Sequence, residues 1–357
     1  MRALREEGRD VRVWATCPAP DAADALGELQ PAPYALEALT TALAPGDVVV
    51  CPAERYLELA DAAVGAGAHA VVQGAMHQDL GSLDAAARAA GVSVVTVVGL
   101  SPGIDIAMAR ALISDLRRAG HPGLSADLGL QILSGSFPRA PGAFRAKFAA
   151  SPVAEIEALA QAARSIREFS PLEVARPWDA SLRHQAPLDP PETFEMHPVG
   201  DSLALRGLLE IDPAWRMRTL VRGVLRPNGW AEAWAGVLDR VAGGQETPAN
   251  IAHRLFADNP YAPGEADRVV MCVSLEVRDG GAPVWHRTWA LDGWGDARGR
   301  ADARLGSHCV ALAVRAASAG AMPIGVSAGP AGPQMAVDWL AALDTQAQRL
   351  RTVDHLA

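Results

Sequence analysis

The sequence has no pair of cysteines spaced to staple the chain or clip a metal. Its four cysteines (Cys17, Cys51, Cys272, Cys309) stand far apart, with no CxxC pair and no histidines at ligand spacing. No metal site is expected, and a reduced, cytoplasmic compartment is. The nine histidines contain no HExxH or comparable spacing. Basic residues are in deficit, 32 against 41 acidic for a net charge of −9. A partner held through its phosphates requires clustered Lys and Arg, so nucleic acid is not an expected ligand. Apolar stretches are broken by Arg, Gly or Pro before they reach ~20 residues, and MRALREEG is charged where a signal peptide would be apolar. Neither a membrane partner nor export is expected.

What is present suffices for two hydrophobic cores, since half of the 357 residues are apolar. Residues 2–8 have helical composition ending at Gly8, and 11–16 (VRVWAT) read as a strand. Three runs follow, 47–51 (DVVVC), 69–73 (HAVVQ) and 92–98 (VSVVTVV), apolar throughout their centres. Unbroken apolarity predicts strands covered on both faces. Ala-rich helical stretches at 54–65 and 80–90 separate them, so the spacing predicts a parallel sheet with right-handed crossovers.

Beyond Gly103 the pattern changes. A helix is predicted over 104–119 and a strand over 126–133, running into the turn-rich SGSFPRAPG. Residues 269–277 and 283–290 read as a hairpin around Asp279-Gly280-Gly281. The proline-rich stretch 171–198 reads as a surface connection. Trp285, Trp289 and Trp294 are expected in the core. The pattern reads as α/β, a parallel sheet followed by an α+β half.

A dinucleotide-binding sheet normally opens with a strand, a GxGxxG turn and a helix whose N-terminus holds the pyrophosphate. No GxGxxG occurs here, and Gly65 and Gly67 precede a strand instead of following one. The first strand and its loop are therefore expected upstream of Met1. A series of motifs occurs in order over most of the chain: GLSPGID (99–105), SGSFP (134–138), AKFAASP (146–152), GDSL (200–203) and RGVLRPNGW (222–230). They resemble GLDPGIDH, CGGLP, YKFSWSP, RDSL and RGTLRYPG of the saccharopine reductase-like (saccharopine dehydrogenase) family. The resemblance implies an oxidoreductase using NAD or NADP that interconverts an imine and a secondary amine, in lysine, polyamine or related amino-acid metabolism. It also implies an incomplete Rossmann-like parallel sheet with an inserted α+β domain, in a discontinuous layout: residues 1–104 with about 305–357 form the dinucleotide-binding half, and 105–304 form the substrate and dimerisation half. A homodimer and a small substrate carrying a carboxylate complete the expectation.

On the cofactor side the candidates are Thr16, Gly74, Gly99, Pro102 and Gly103. Thr16 follows the second strand, where an acid would bind ribose hydroxyls or an Arg a 2′-phosphate. Gly99 to Asp105 closes a strand's carboxyl end, and either lines the nicotinamide side of a cleft or caps a helix through Ser101 or Asp105. On the substrate side they are Lys147, Asp201, Arg222 and Arg226. A guanidinium binds two carboxylate oxygens at once, and the motif holding Arg222 lies by the substrate in relatives. Lys147 either holds a carboxylate or is solvated; Asp201-Ser202 either orients Arg222 or caps a helix. No residue is singled out as catalytic. Ser101, Ile106, Ala150 and Gly200 replace family Asp, His, Trp and Arg, so the expected substrate is not saccharopine itself. The other reading is a non-redox descendant, a biosynthetic or binding protein that kept the fold and lost dinucleotide binding. An interaction subunit paired through the hairpin is a third.

Overall fold

The computed structural model describes residues 10, 12, 14–15, 32–52, 55–74, 79–121 and 126–357. The helix expected over 2–8 and the candidate Thr16 lie outside the described residues. In chain order the elements are β1 (Trp14–Ala15), β2 (Ala32–Pro33), α1 (Leu36–Ala42), β3 (Val48–Cys51), α2 (Tyr56–Gly65), β4 (His69–Gln73), α3 (Asp84–Ala90) and β5 (Ser93–Val98). Then come α4 (Asp105–Arg118), β6 (Asp127–Pro138), α5 (Val153–Ala160), β7 (Ala163–Arg167), β8 (Ser170–Val174), β9 (Leu182–Ala186), β10 (Glu192–Pro198) and β11 (Arg216–Arg226). The chain finishes with α6 (Ala235–Gly243), α7 (Pro248–Asp258), β12 (Asp267–Asp279), β13 (Ala282–Trp294), α8 (Ala301–Ser318), β14 (Gly325–Ala328), α9 (Pro333–Asp344) and β15 (Arg349–Asp354). Two compact units result, 1–104 with 306–331 and 105–305 with 332–357.

The first unit contains a four-stranded sheet of order β14-β5-β4-β3, parallel throughout. All six residues of β5 are buried, as its unbroken apolar run requires. Helix α2 buries Leu59, Ala60, Ala63 and Val64, one face of a 3.6-residue repeat, into a core with Val49, Val72 and Val94. Helix α3 ends at Gly91, which adopts the left-handed φ of 70° that stops a helix at no side-chain cost. Its first residue, Asp84, accepts a hydrogen bond from the N–H of Val326 at 2.8 Å and so ties β14 to the sheet. Strands β1 and β2 form a separate parallel pair, and among the described residues no strand joins the two sheets.

The second unit is built on one nine-stranded sheet, β15-β13-β12-β6-β11-β10-β9, with β7 on β11 and β8 on β7. Only β6 and β11 run parallel in it; the other pairs are antiparallel. Three expectations are corrected here. Strand β6 does not stop at Leu133, because Ser134 to Pro138 pair with Met271 to Asp267. Gly135 marks a close strand approach, not a turn: a Cβ there would meet the Leu225 carbonyl oxygen at 2.4 Å. The stretch 171–198 is not an irregular connection but contributes β8, β9 and β10, the last burying Phe194 and Met196. Its prolines sit mostly at strand ends and in turns, where they mask the pattern without breaking a central ladder. Residues 332–357, expected with the dinucleotide-binding half, belong to this unit because β15 pairs with β13. Its buried residues include one cluster around Leu133, Phe194, Leu225 and Cys272 and another around Ile156, Trp230, Trp234 and Ile251. Of the hairpin tryptophans, Trp285 is buried while Trp289 and Trp294 are partly exposed.

Candidate functional site

Of the cofactor candidates, Gly74, Gly99, Pro102 and Gly103 come together at the carboxyl edge of the parallel sheet. Open α/β sheets bind their ligands at this edge. The chain reaches it through an irregularity that the sequence did not announce. Val97 carries a positive φ of 59° while only 1% exposed, and the β4–β5 register shifts between Val71 and Gln73. A β-branched residue rarely adopts that backbone, so packing holds it there. The bulge turns the end of β5 toward β4, and the Gly74 N–H donates to the Val98 carbonyl at 2.6 Å. Gly99 (φ 152°) and Gly103 (φ 153°) follow, each in a conformation that favours glycine. A Cβ on Gly99 would touch the Gly74 nitrogen and the Pro102 carbonyl, both at 3.5 Å. The result is backbone close-packed on backbone, with Gly99, Pro102 and Gly103 buried and Gly74 exposed. Helix α4 starts directly after it, with the Ile106 N–H donating to the Asp105 side chain at 2.9 Å. The capping alternative for GLSPGID is thus present too.

The substrate candidates lie in the second unit and are distributed. On β11, the Arg222 N–H donates to Ser202 Oγ at 2.9 Å and its guanidinium meets the fully buried Asp105 carboxylate at 3.4 Å. Ser202 therefore does touch Arg222, whereas Asp201 takes the Leu203 N–H and the Arg164 guanidinium. Arg226 has other partners, paired with Glu155 at 2.7 Å and lying over the Trp230 ring at 4.9 Å from its centroid. His197 stacks on the same Trp230 at 5.0 Å. Burial, aided by the Arg226 charge, pushes this imidazole down to about 3. Lys147 is paired with Glu265 at 2.6 Å and, with the Ala262 N–H, holds that carboxyl below its ordinary range. Each of the four substrate candidates therefore has a protein partner of opposite charge.

One constellation had no signal in the sequence. On β12 and β13, Ser274 bonds His286 Nε2 at 2.9 Å, Thr288 donates to Ser274 at 3.0 Å, and His355 Nε2 meets Thr288 at 2.9 Å. The two imidazoles stack at 4.0 Å, and burial, then His355, lowers the pKa of His286. Sheet register alone assembles these four residues, so no spacing along the chain could reveal them. Among the described residues no group of three His, Cys, Asp or Glu could hold a metal ion, and no helix is long and apolar enough to cross a membrane.

The architecture recurs in a solved structure. The apo form of saccharopine dehydrogenase (L-Glu forming) from Saccharomyces cerevisiae superposes over 94% of this chain and 92% of that chain, with a TM-score of 0.75 and 19% identity. This chain has a saccharopine dehydrogenase-like fold. A dehydrogenase structure from Bordetella bronchiseptica RB50 aligns over 97% of this chain and 93% of its own at 14% identity, with a TM-score of 0.36. The oxidoreductase yvaA from Bacillus subtilis aligns over 97% and 90% at 10% identity, with a TM-score of 0.34. No protein-family model and no curated protein sequence matches the chain. A saccharopine dehydrogenase-like fold accounts for the mixed sheet of the second unit as well as the parallel sheet of the first.

Proposed function

We propose that this chain is an NAD- or NADP-linked oxidoreductase acting on the carbon–nitrogen bond of an amino-acid-like substrate that carries a carboxylate. The observation that carries the proposal is the bulged, glycine-lined carboxyl edge of β4 and β5, in a chain with a saccharopine dehydrogenase-like fold. Gly74, Gly99, Pro102 and Gly103 would flank the nicotinamide, which when bound supplies or takes the hydride. Gly74, exposed and with open space where a Cβ would stand, leaves room for a planar ring. Residues that would hold the pyrophosphate are not found among the described ones, and the sequence has no GxGxxG. Arg222 is the preferred anchor for a substrate carboxylate: it is partly exposed and its guanidinium already binds a carboxylate, that of Asp105. Lys147, Asp201 and Arg226 would support it from their own ion pairs. Action as a cytoplasmic homodimer belongs to the same proposal.

The absence of a GxGxxG loop from the sequence favours a second reading, a non-redox descendant of the fold. Titration of the 357-residue protein with NADPH and NADH, followed by fluorescence, separates the two. Binding at micromolar concentration that is lost in Gly99→Val supports the oxidoreductase. Saturation with neither nucleotide at ~1 mM, well above the ordinary range of such sites, overturns it for this chain and leaves the descendant.

A further inference from the structure

The second unit carries a groove whose lining includes none of the residues discussed so far as substrate ligands. Its volume is about 410 Å³, within the range of small-molecule sites. The walls are apolar, formed by Ile166, Phe169, Pro171, Leu203 and Met217. Two guanidiniums, Arg206 and Arg216, complete the lining, and no acidic side chain shares it. On a chain of net charge −9 such a lining is locally inverted in sign. Arg206 has no carboxylate partner among the described residues; its guanidinium reaches only the Pro213 carbonyl, at 3.3 Å. Arg216 is 55% exposed, meets Asp127 at a long 3.3 Å, and lies over the Phe169 ring at 5.2 Å from its centroid.

The turn that presents Phe169 is held against its own preference. Glu168 (φ 44°) and Phe169 (φ 68°) both occupy the left-handed region, between β7 and β8. Asn or Gly would adopt that backbone more readily, and a bulky aromatic there is uncommon. Two bonds between Arg218 and Glu168, at 2.9 and 3.1 Å, fix the turn and leave Phe169 44% exposed. On the opposite wall, Leu203 is fixed through Asp201, which accepts its N–H and pairs with Arg164. The walls are thus set before any ligand arrives. Strand β8 is the outer strand of this branch, but Pro171 removes one of its backbone donors and disfavours addition of a further strand.

We propose that this groove binds a small organic carboxylate with an apolar body, its carboxylate held by Arg206 with Arg216 and its body against Phe169, Leu203 and Met217. The apolar walls alone would take an alcohol as well; the Arg206 guanidinium, without a carboxylate partner among the described residues, selects the anion, and the half-exposed Arg216, shared with Asp127, adds to it. The site is distinct from the proposed redox site, because its lining includes none of that site's residues; only Asp201, behind Leu203, serves both.

Octanoate is the probe, measured by isothermal titration calorimetry on the full chain, with octanol as the uncharged control. Octanoate is expected to bind with a Kd of roughly 0.1–1 mM, and octanol at least about tenfold more weakly. Arg206→Gln should weaken octanoate about tenfold. Phe169→Gly should weaken it several-fold without unfolding the protein, since glycine suits the positive φ. Arg222→Gln should leave the affinity unchanged, which separates this groove from the proposed substrate site. Equal affinities for octanoate and octanol, no heat at ~10 mM, or sensitivity to Arg222→Gln but not to Arg206→Gln would each overturn the proposal. So would a fall in oligomeric state in Phe169→Gly by sedimentation, which would show a second copy covering the groove.

Discussion

Replacing His197 by Phe should flatten the acid side of the stability profile. His197 is 2% exposed, stacked on Trp230, and its Nδ1 has no hydrogen-bond partner among the described residues. Burial, with the Arg226 charge next, depresses its pKa to about 3. In the unfolded chain an imidazole takes up its proton near 6.5, whereas the folded protein refuses it until about 3. The unfolded state therefore binds more protons across this window, and stability, complete above pH 6.5, is lost as pH falls toward 3. One pKa unit corresponds to about 1.4 kcal/mol, so this residue alone costs about 2 kcal/mol by pH 5 and about 4 kcal/mol by pH 3. Phe keeps an aromatic ring on Trp230 and removes the titration. Urea unfolding at pH 7, 6 and 5, read by the fluorescence of the buried Trp230 and Trp234, measures the effect. Wild type should lose about 2 kcal/mol more than His197→Phe between pH 7 and pH 5. Parallel pH dependences in the two proteins would refute the reasoning, since they would mean that His197 gains its proton in the folded state as easily as in the unfolded one.

Other perturbations have equally definite outcomes. Gly135→Ala places a Cβ 2.4 Å from the Leu225 carbonyl, a backbone atom that cannot swing away, and should destabilise by about 2–3 kcal/mol in thermal unfolding. Asp267→Ala removes the carboxylate that accepts the N–H groups of Ala301 and Asp302 at the start of α8; hydrogen exchange over 301–304 should speed up and stability fall by about 1–2 kcal/mol. Arg226→Met deprives Glu155 of its partner and should cost about 2–3 kcal/mol, largely recovered in Arg226→Met/Glu155→Met if the loss comes from the stranded charge and not from packing on Trp230.

The parallel sheet was legible because its signal is local. Residues 69–73 form β4 to the residue, and the runs at 47–51 and 92–98 became β3 and β5; β4 and β5 are buried at consecutive positions, as strands covered on both faces must be, whereas β3 at the end of the sheet leaves Val50 exposed. The hairpin was legible for the same reason, its Gly280 and Gly281 both adopting positive φ at the turn. Residues 171–198 were not, because β9 is exposed at most of its positions and thus leaves no alternation to read. The glycine-rich edge was half legible: Gly99 and Gly103 stood in a motif, but the strained Val97 that aims them looked like one more strand valine.

Sequence alone therefore determined the parallel α/β unit, the lack of a glycine-rich phosphate loop and the identity of the charged candidates, since each depends on neighbours along the chain. Tertiary structure alone decided how those charges are used. Whether a guanidinium is a ligand clamp or half of an ion pair depends on which carboxylate the sheet register brings beside it: Asp105 for Arg222, Glu155 for Arg226, and none for Arg206 among the described residues. The partners lie tens of residues away in sequence, and an ion pair at a few ångströms outweighs anything that local spacing specifies.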